Sequence, residues 1–324
     1  MNNGETYLDS FLAPLAPYLG QTDVTDIWIN RPKEVWVECL GGQIKRFDVL
    51  GLDQNLLARL ARQIAALSSQ GISRAEPLLA STLPDGSRVQ VVAPPAAREG
   101  YAFAIRKHIS SNLSLDEWEE RGGFKELTNS RFNAATDRTY EPIVGREAKG
   151  VLRQAVKSRR NIVVSGGTSS GKTTFLNALL AEIPRHERLI TIEDTAELRI
   201  VHANAVGMLA ARGQLAEANV NAEDLLVAAL RMRPDRIILG ELRSSEAFTF
   251  LRAINTGHPG SMTTIHADTP MRAIEQLVLL VIQSGSKLSR EDVRRYVQTS
   301  IDVFVQLERG TKGRQVREIL VGKP

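Results

Sequence analysis

A glycine-rich stretch at residues 166–174, Gly-Gly-Thr-Ser-Ser-Gly-Lys-Thr-Thr, constrains this chain more than any other segment. It follows a short apolar run and opens into a helical pattern, which is the order of strand, loop and helix N-terminus that a phosphate cradle needs. In the pattern G-x-x-x-x-G-K-[ST], the glycines allow sharp turns, the lysine reaches the β- and γ-phosphates, and the next hydroxyl ligates Mg²⁺. The stretch therefore predicts a nucleoside triphosphate site. The predicted ligand-binding residues are Gly166, Gly167, Thr168, Ser169, Ser170, Gly171, Lys172, Thr173 and Thr174.

The length and the net charge of the chain limit its domain organisation and the kinds of partner that it can bind. At 324 residues the chain is long enough for two domains with their own cores. The net charge of +4 comes from 41 basic and 37 acidic residues, without a clustered basic run. A dedicated nucleic-acid binder more often has a clustered basic face, so we expect no strong direct binding of nucleic acid. A weak peripheral attraction to an anionic membrane surface stays open.

The cysteine content and the hydropathy pattern bear on the compartment. The single cysteine, Cys39, leaves no partner for an internal disulfide or a thiol metal cluster. The first residues lack the basic segment and apolar core of a signal peptide, and no run of about 18 apolar residues is present to span a membrane. These features predict a protein that is made and kept in the reducing cytoplasm.

The first third of the chain, residues 1–109, predicts a small α+β domain without a nucleotide motif of its own. A polar stretch at 110–139, poor in large apolar residues, predicts a linker with a short helix at Leu115 to Arg121. The predicted helices of the domain are 8–19 and 56–67, its predicted strands are 26–32, 34–38, 88–92 and 102–107, and turns are predicted at 31–33 and 84–87.

Residues 140–324 alternate apolar strands with helices, which is typical of an α/β domain with a mostly parallel sheet covered by helices. A helical stripe at 141–159 leads into the phosphate-binding strand. The segments 302–307 and 315–320 predict an antiparallel hairpin on the sheet edge. The predicted strands are Ile162–Val164, Leu189–Ile192, Arg236–Leu239 and Met262–Ile265, and the predicted helices are Thr173–Ala181, Ala222–Met232, Ser245–Asn255, Met271–Gln283 and Arg290–Thr299.

Two of these apolar strands end in carboxylates downstream of the phosphate loop. One leads to Glu241, at the place where a carboxylate in this class holds Mg²⁺ through water or polarises the attacking water. The other delivers Glu193, a candidate for the base that positions water, with Asp194 or Glu197 to order the metal shell. The pattern leaves open which of Glu193 and Glu241 is the general base.

Two histidines, His258 and His266, flank one predicted strand. A lone pair of histidines is usually structural, and the spacing of these two fits no common zinc pattern. The better functional interpretation is that a histidine here senses the γ-phosphate by hydrogen bonding, and we assign that role to His266.

Together these segments resemble the secretion ATPase superfamily. The resemblance rests on the phosphate loop, the acidic box at 192–194, the strand end at 239–241 and the histidine box at 264–267. The run Leu-Arg-Met-Arg-Pro-Asp-Arg at 230–236, leading to Gly-Glu-Leu-Arg at 240–243, is an especially specific match. Within the superfamily the chain most resembles the conjugation and type IV secretion ATPases, namely the eleventh VirB component and its TrbB-like relatives.

This resemblance implies a homohexameric ring, with N-terminal domains in one tier, RecA-like domains in the other and ATP between the two domains. Arg88 and Arg106 match family arginines that approach the nucleotide phosphates from the N-terminal domain, where they would neutralise charge on the transferred phosphoryl group. The resemblance also implies a place at the cytoplasmic side of the inner membrane, docked on inner-membrane secretion components. It covers the chain from about Thr25 to the C-terminus.

Two departures from the family pattern stand out. Ser169 occupies a position where relatives often have glycine, and we expect serine to fit there with a negative φ and little loss. The four-cysteine zinc motif of the type II secretion motors is absent, which argues against a type II assembly motor.

The residues favour an ATPase motor whose hydrolysis cycle moves the N-terminal domains to drive substrate transfer or pilus assembly. A pilus-retraction motor and a DNA-translocating ATPase of the same core fold are the alternatives. A ring scaffold without turnover fits less well because Lys172, Glu193 and Glu241 are all intact, and a small-molecule kinase is least favoured because nothing resembles an acceptor-binding lid. The pattern does not distinguish DNA, protein and pilin as the transported substrate.

Overall fold

The computed structural model describes residues 3–40, 42–68, 70–107, 113–125, 127, 140–143, 147–210, 220–310 and 313–323. These residues form two compact units, one up to residue 107 and one from residue 113 onward, each with its own sheet. Across the described ranges, no helix is both long enough and apolar enough to cross a membrane.

The first unit is a six-stranded antiparallel sheet in the order β3-β2-β1-β6-β5-β4. The amphipathic helix α3 packs its buried leucines against this sheet, and Asp53 caps its first turn by accepting a hydrogen bond from the Leu56 amide at 2.7 Å. Its elements are α1 (Asn3–Leu12), α2 (Ala16–Leu19), β1 (Val24–Ile29), β2 (Glu34–Cys39), β3 (Ile44–Asp48), α3 (Gln54–Leu67), β4 (Leu78–Thr82), β5 (Arg88–Val92) and β6 (Ala102–Arg106).

The first unit departs from the sequence prediction in two places. The predicted helix at 8–19 is interrupted by a 3₁₀ turn at Ala13–Leu15, because Pro14 and Pro17 lack the amide that a continuous helix needs. The strands β3 and β4 were not predicted. They are edge strands, and β3 is exposed at every residue, so its sequence carries no alternation of buried and exposed side chains.

Part of the predicted linker belongs to the core of the second unit. Helix α4 (Leu115–Glu120) begins with a capping box between Ser114 and Glu117. Its buried Trp118 packs edge-on against Phe175 with ring centroids 5.1 Å apart. The composition of this stretch indicated a linker, but a buried aromatic side chain is enough to anchor α4 to the core of the second unit. Within 110–139, the described residues are 113–125 and 127, and the rest of the predicted linker lies outside them.

The second unit is an eight-stranded sheet in the order β10-β9-β11-β12-β8-β13-β14-β7. The strands from β10 to β13 in this order are parallel, and apolar helices cover both faces, so the central strands are buried throughout. Its elements are α4, β7 (Tyr140–Pro142), α5 (Ala148–Lys157), β8 (Ile162–Gly166), α6 (Lys172–Ala181), β9 (Leu189–Glu193), β10 (Ala205–Leu209), α7 (Ala222–Ala229), β11 (Arg236–Leu239), α8 (Glu246–Asn255), β12 (Met262–Ile265), α9 (Pro270–Gln283), α10 (Arg290–Ser300), β13 (Val303–Gly310) and β14 (Gly313–Gly322).

The predicted hairpin near the C-terminus is present, but its predicted place on the sheet edge is wrong. Strand β13 lies parallel to the phosphate-binding strand β8, and β14 is covered in turn by β7. The physical reason is visible in the apolar run from Val303 to Leu307, which is buried on both faces and suits an interior strand. Strand β7 forms this edge of the sheet instead.

A buried ion pair fixes the amino ends of the parallel strands. Arg236, the first residue of β11, is fully buried and donates through Nε and Nη2 to the Glu187 carboxylate at 2.6 and 2.9 Å. Its Nη1 also donates to the Val156 carbonyl at 2.8 Å, at the end of α5. Burial raises the pKa of Glu187, but the Arg236 contacts and the charge of Arg159 outweigh it and hold that pKa below its ordinary value. The specific Arg-Pro-Asp-Arg run is therefore a structural clamp.

We expect Glu187→Gln to lower the free energy of unfolding of the second unit by about 3–5 kcal/mol, because it leaves the Arg236 charge buried without a counter-charge. Urea denaturation followed by fluorescence measures this, with Trp28 and Trp36 of the first unit replaced by phenylalanine so that Trp118 is the only tryptophan left in the sequence. Since the folded-state pKa of Glu187 is lowered, its contribution is present above the ordinary glutamate pKa and is lost as the pH falls through the lowered value.

The matched control is Arg272→Gln, which removes one half of an exposed pair with Asp268. It should change the free energy of unfolding by no more than about 0.5 kcal/mol. A Glu187→Gln variant as stable as this control would show that the buried pair does not fix the strand ends.

Candidate active site

The phosphate loop connects the end of β8 to the start of α6 and requires glycine at two positions. Gly171 has a φ of +93°, and a Cβ added there would lie 2.7 Å from Cδ of Arg314. A Cβ added to Gly166 would lie 2.3 Å from the Ser170 hydroxyl. Both predicted turn glycines are therefore needed, one for its backbone conformation and both for close approach.

The expected negative φ of Ser169 is wrong, because its φ is +60°. The neighbouring Ser170 is buried and donates its hydroxyl to the Gly167 carbonyl at 2.8 Å, which closes the loop around that left-handed residue. A non-glycine residue in this region is less stable than glycine by about 1–2 kcal/mol. Glycine at this position would remove that strain.

Three predicted residues from separate segments meet beside this loop. Lys172 Nζ donates to the carbonyls of Gly166 and Gly167 at 2.9 and 3.1 Å, and lies 3.3 Å from Nδ1 of His266. The Lys172 ammonium also lies 3.4 Å from Nε2 of His266, so it is beside both ring nitrogens. His266 Nε2 in turn lies 2.8 Å from Oε1 of Glu241. Lys172, His266 and Glu241 therefore form a continuous contact chain.

Arg243 joins the two acidic strand ends. Its Nε donates to Glu241 Oε2 at 2.8 Å, and its Nη1 lies 3.5 Å from Oδ2 of Asp194. Burial lowers the pKa of Arg243, but the hydrogen bond to Glu241 and the nearby acidic charges raise it above its ordinary value. The buried Glu246 orders the same turn by accepting from the Arg243 and Ser244 amides at 2.6 and 2.8 Å.

Glu193 is buried at the carboxyl end of β9, next to the turn that leads to Glu241. Its Oε1 accepts hydrogen bonds from the amides of Glu197 and Leu198, both at 2.8 Å. A Cβ added to Gly240 would lie 3.3 Å from Cγ of Glu193, so the backbone of the neighbouring strand end passes close to this side chain. The carboxylate of Glu193 is therefore anchored in one orientation.

The two predicted arginines lie together in the first unit. Arg88 and Arg106 are direct cross-strand partners on β5 and β6. Arg106 is also paired with Asp26, and its Nε lies 4.0 Å from Oδ1 of that residue. Like charges directly opposite each other repel in a sheet, so this face of the first unit favours an anion.

The sequence pattern missed two residues that organise the site. Arg243 lies in the Gly-Glu-Leu-Arg match but was given no role, and Gln306 was not singled out at all. The sequence feature that could have identified Gln306 is that it is the one polar side chain among the first five, otherwise apolar, residues of β13. A cavity of about 440 Å³ borders the phosphate loop next to Gln306, and Asp268, Arg309 and Arg317 also line it.

The chemistry of the donor set fits a nucleotide with a hard divalent cation. The N-terminus of α6, the loop amides and the Lys172 ammonium suit phosphate oxygens, and the hydroxyl of Thr173 with the carboxylate of Glu241 suits Mg²⁺. The parallel sheet, the phosphate loop and the acidic strand ends define the class: a phosphate-loop ATPase with a RecA-like core.

Comparison with known proteins identifies the family. The family described as "Type II/IV secretion system protein" matches residues 10–310. The chain is 40% identical over 329 residues to the type IV secretion system protein VirB11 of Bartonella quintana (strain Toulouse), over 95% of this chain and 91% of that protein. It is 37% identical to VirB11 of Brucella suis biovar 1, over 95% of this chain and 88% of that protein. The chain belongs to this family and is a type IV secretion ATPase.

Solved structures agree with this assignment. The VirB11 ATPase from the Brucella suis type IV secretion system, in complex with sulphate, is similar over 98% of this chain and 95% of that one, with 34% identity and a TM-score of 0.50. The Legionella pneumophila ATPase DotB, at 18% identity and a TM-score of 0.62, covers 98% of this chain and 80% of its own, and shows the fold alone. The predicted RecA-like fold and secretion ATPase resemblance are confirmed.

We expect Ser169→Gly to raise the free energy of unfolding by about 0.5–1 kcal/mol. Glycine relieves the strain of the left-handed backbone conformation, but it also loses more conformational entropy on folding, which offsets part of the gain. Denaturant melts measure this. The matched control is Ser170→Gly, one residue on, which should be destabilising because it removes the buried hydroxyl bond to Gly167. Equal destabilisation by both changes would contradict the strain at Ser169.

Proposed function

We propose that this chain is a Mg²⁺-dependent ATPase that works as a homohexamer and powers substrate transfer or pilus assembly in a type IV secretion system. Its place would be the cytoplasmic face of the inner membrane, docked on inner-membrane secretion components. The observation that carries the catalytic part is the contact chain from Lys172 through His266 to Glu241. The assembly and its location rest on membership of the family.

The phosphate loop and Lys172 bind the triphosphate. In the structure the Lys172 ammonium is held by two loop carbonyls, within the cradle that the β- and γ-phosphates would enter. Thr173, in the first turn of α6, and Glu241, through water, would hold Mg²⁺, which supplies positive charge to the phosphate oxygens. Arg88 and Arg106 would add positive charge from the N-terminal domain.

We assign water activation to Glu193 and the metal shell to Glu241. The two backbone amides on Glu193 Oε1 fix the orientation of its carboxylate, which a base that must face one water needs. In hydrolysis the water oxygen bonds to the γ-phosphorus, Glu193 accepts the proton, and the bond from phosphorus to the β–γ bridging oxygen breaks. Glu241 instead lies between Arg243 and His266, which contact its two carboxylate oxygens.

His266 links the bound phosphate to the acidic strand end. When Lys172 turns from the loop carbonyls to the γ-phosphate, its contact with the imidazole would change, and His266 would donate to the phosphate or to Glu241. The histidine therefore distinguishes a triphosphate from a diphosphate.

We expect Lys172→Ala to abolish both ATP binding and hydrolysis. Glu193→Gln should lower kcat by about 100-fold or more while ATP still binds, because a general base contributes about 10²–10⁴ to the rate. Glu241→Gln should mainly reduce the extent to which Mg²⁺ strengthens ATP binding.

Phosphate release measures the rate of hydrolysis in these variants, and calorimetric titration measures their affinity for ATP. The charge-matched control is Glu291→Gln, at an exposed position on α10. Full turnover in Glu193→Gln would transfer the base role to Glu241.

The assembly is tested by solution mass, with hydrolysis assayed in the presence and absence of DNA. We expect a particle of six chains of 35.7 kDa whose activity is insensitive to DNA. Strong stimulation by DNA with a steep salt dependence would favour the translocase instead. Tight ATP binding without turnover in the wild type would favour a scaffold.

A further inference from the structure

We propose that Gln306 is a positioning residue, which ties the phosphate-loop strand to the histidine segment so that Lys172 and His266 respond to the γ-phosphate as a unit. The inference rests on the proposed function, since it concerns how that same site distinguishes ATP from ADP.

The side chain of Gln306 is buried, and both ends of its amide are bonded. Its Oε1 accepts a hydrogen bond from the Ser165 hydroxyl at 2.5 Å. Its Nε2 donates to the carbonyls of Ala267 and Leu307, both at 3.1 Å. A buried amide in an apolar strand is unfavourable unless it is bonded in this way, so the position is specific for this side chain.

These bonds end next to the residues that carry the chemistry. Ser165 precedes Gly166, whose carbonyl accepts from Lys172, and Ala267 follows His266 directly. In the sheet, β12 and β13 flank β8, with Ile265 and Gln306 both in register with Ser165. Two flanking strands lie about 10 Å apart, so their backbones do not bond to each other. Gln306 on β13 therefore hydrogen-bonds directly to Ser165 on β8 and to Ala267, which follows the end of β12.

This link has a consequence for nucleotide discrimination. The Lys172–His266 contact of 3.3 Å depends on the position of the Ala267 segment relative to the phosphate loop. A diphosphate makes no use of a γ-phosphate sensor, whereas a triphosphate and the transition state do. Loss of the Gln306 link should therefore impair binding of the triphosphate and turnover, and leave the affinity for ADP unchanged.

The test compares Gln306→Met, which keeps the length and removes all three hydrogen bonds of the amide, with Gln306→Glu, which keeps the acceptor for Ser165 but cannot donate to Ala267 or Leu307. Dissociation constants for ADP and for a non-hydrolysable ATP analogue, both with Mg²⁺, are measured beside kcat and KM on the full chain. We expect the ratio of analogue affinity to ADP affinity, and kcat, to fall by about tenfold in both variants.

Two further variants separate positioning from a general loss of stability. Val303→Ala leaves a cavity at the far end of the same strand, and it should leave the affinity ratio and kcat unchanged. In a His266→Ala background, Gln306→Met should have little additional effect, because both changes interrupt the same link.

Equal weakening of ADP and analogue binding, or an undiminished effect of Gln306→Met in the His266→Ala background, would overturn the positioning role while the wild type still hydrolyses ATP. If Gln306→Met fails to fold, Gln306→Glu decides by the same ratio. A wild type that binds neither nucleotide would reject the proposed function and this inference with it.

Discussion

The buried ion pair between Arg236 and Glu187 is the constraint on which the ATPase unit depends. It holds the start of β11 to the segment before β9 and to the end of α5, at the amino ends of the parallel strands. When adjacent parallel strands begin at the same height in a sheet, their carboxyl ends also lie at a similar height and form one edge. Gly166, Glu193 and the segments that carry Glu241 and His266 meet along that edge. The clamp at one end of the sheet therefore sets the geometry of chemistry at the other.

At the catalytic edge, side chains from neighbouring strands hold one another in place. Lys172, His266 and Glu241 form one contact chain, and Arg243 extends it to the acidic end of β9. Every one of these groups is charged or polar, and the short distances between them favour mutual electrostatic interaction. The position of the Lys172 ammonium is thus connected to the carboxylates through short contacts between side chains.

Local patterns pointed to candidate residues where the signal lies within a short stretch. The phosphate loop, Glu193, Glu241 and His266 were identified because each follows an apolar strand, and strand ends in a parallel sheet share one edge. The φ of Ser169 was not predictable, since it depends on how the loop closes over Gly167. Gln306 was missed because its partners are about 40 and 140 residues away in the chain, and no spacing rule connects residues so far apart.

The amino-acid sequence by itself determined the class of this protein: motif spacing and strand periodicity are local properties, and they specify a phosphate-loop ATPase related to the secretion motors. Only the tertiary structure decided that the C-terminal hairpin lies beside the phosphate-binding strand and that helix α4 joins the second core. The reason is that strand order and the choice of core depend on long-range burial, which alternating hydrophobicity does not encode. The same long-range packing brings Gln306 beside Ser165 and Ala267 and places Arg243 near Asp194.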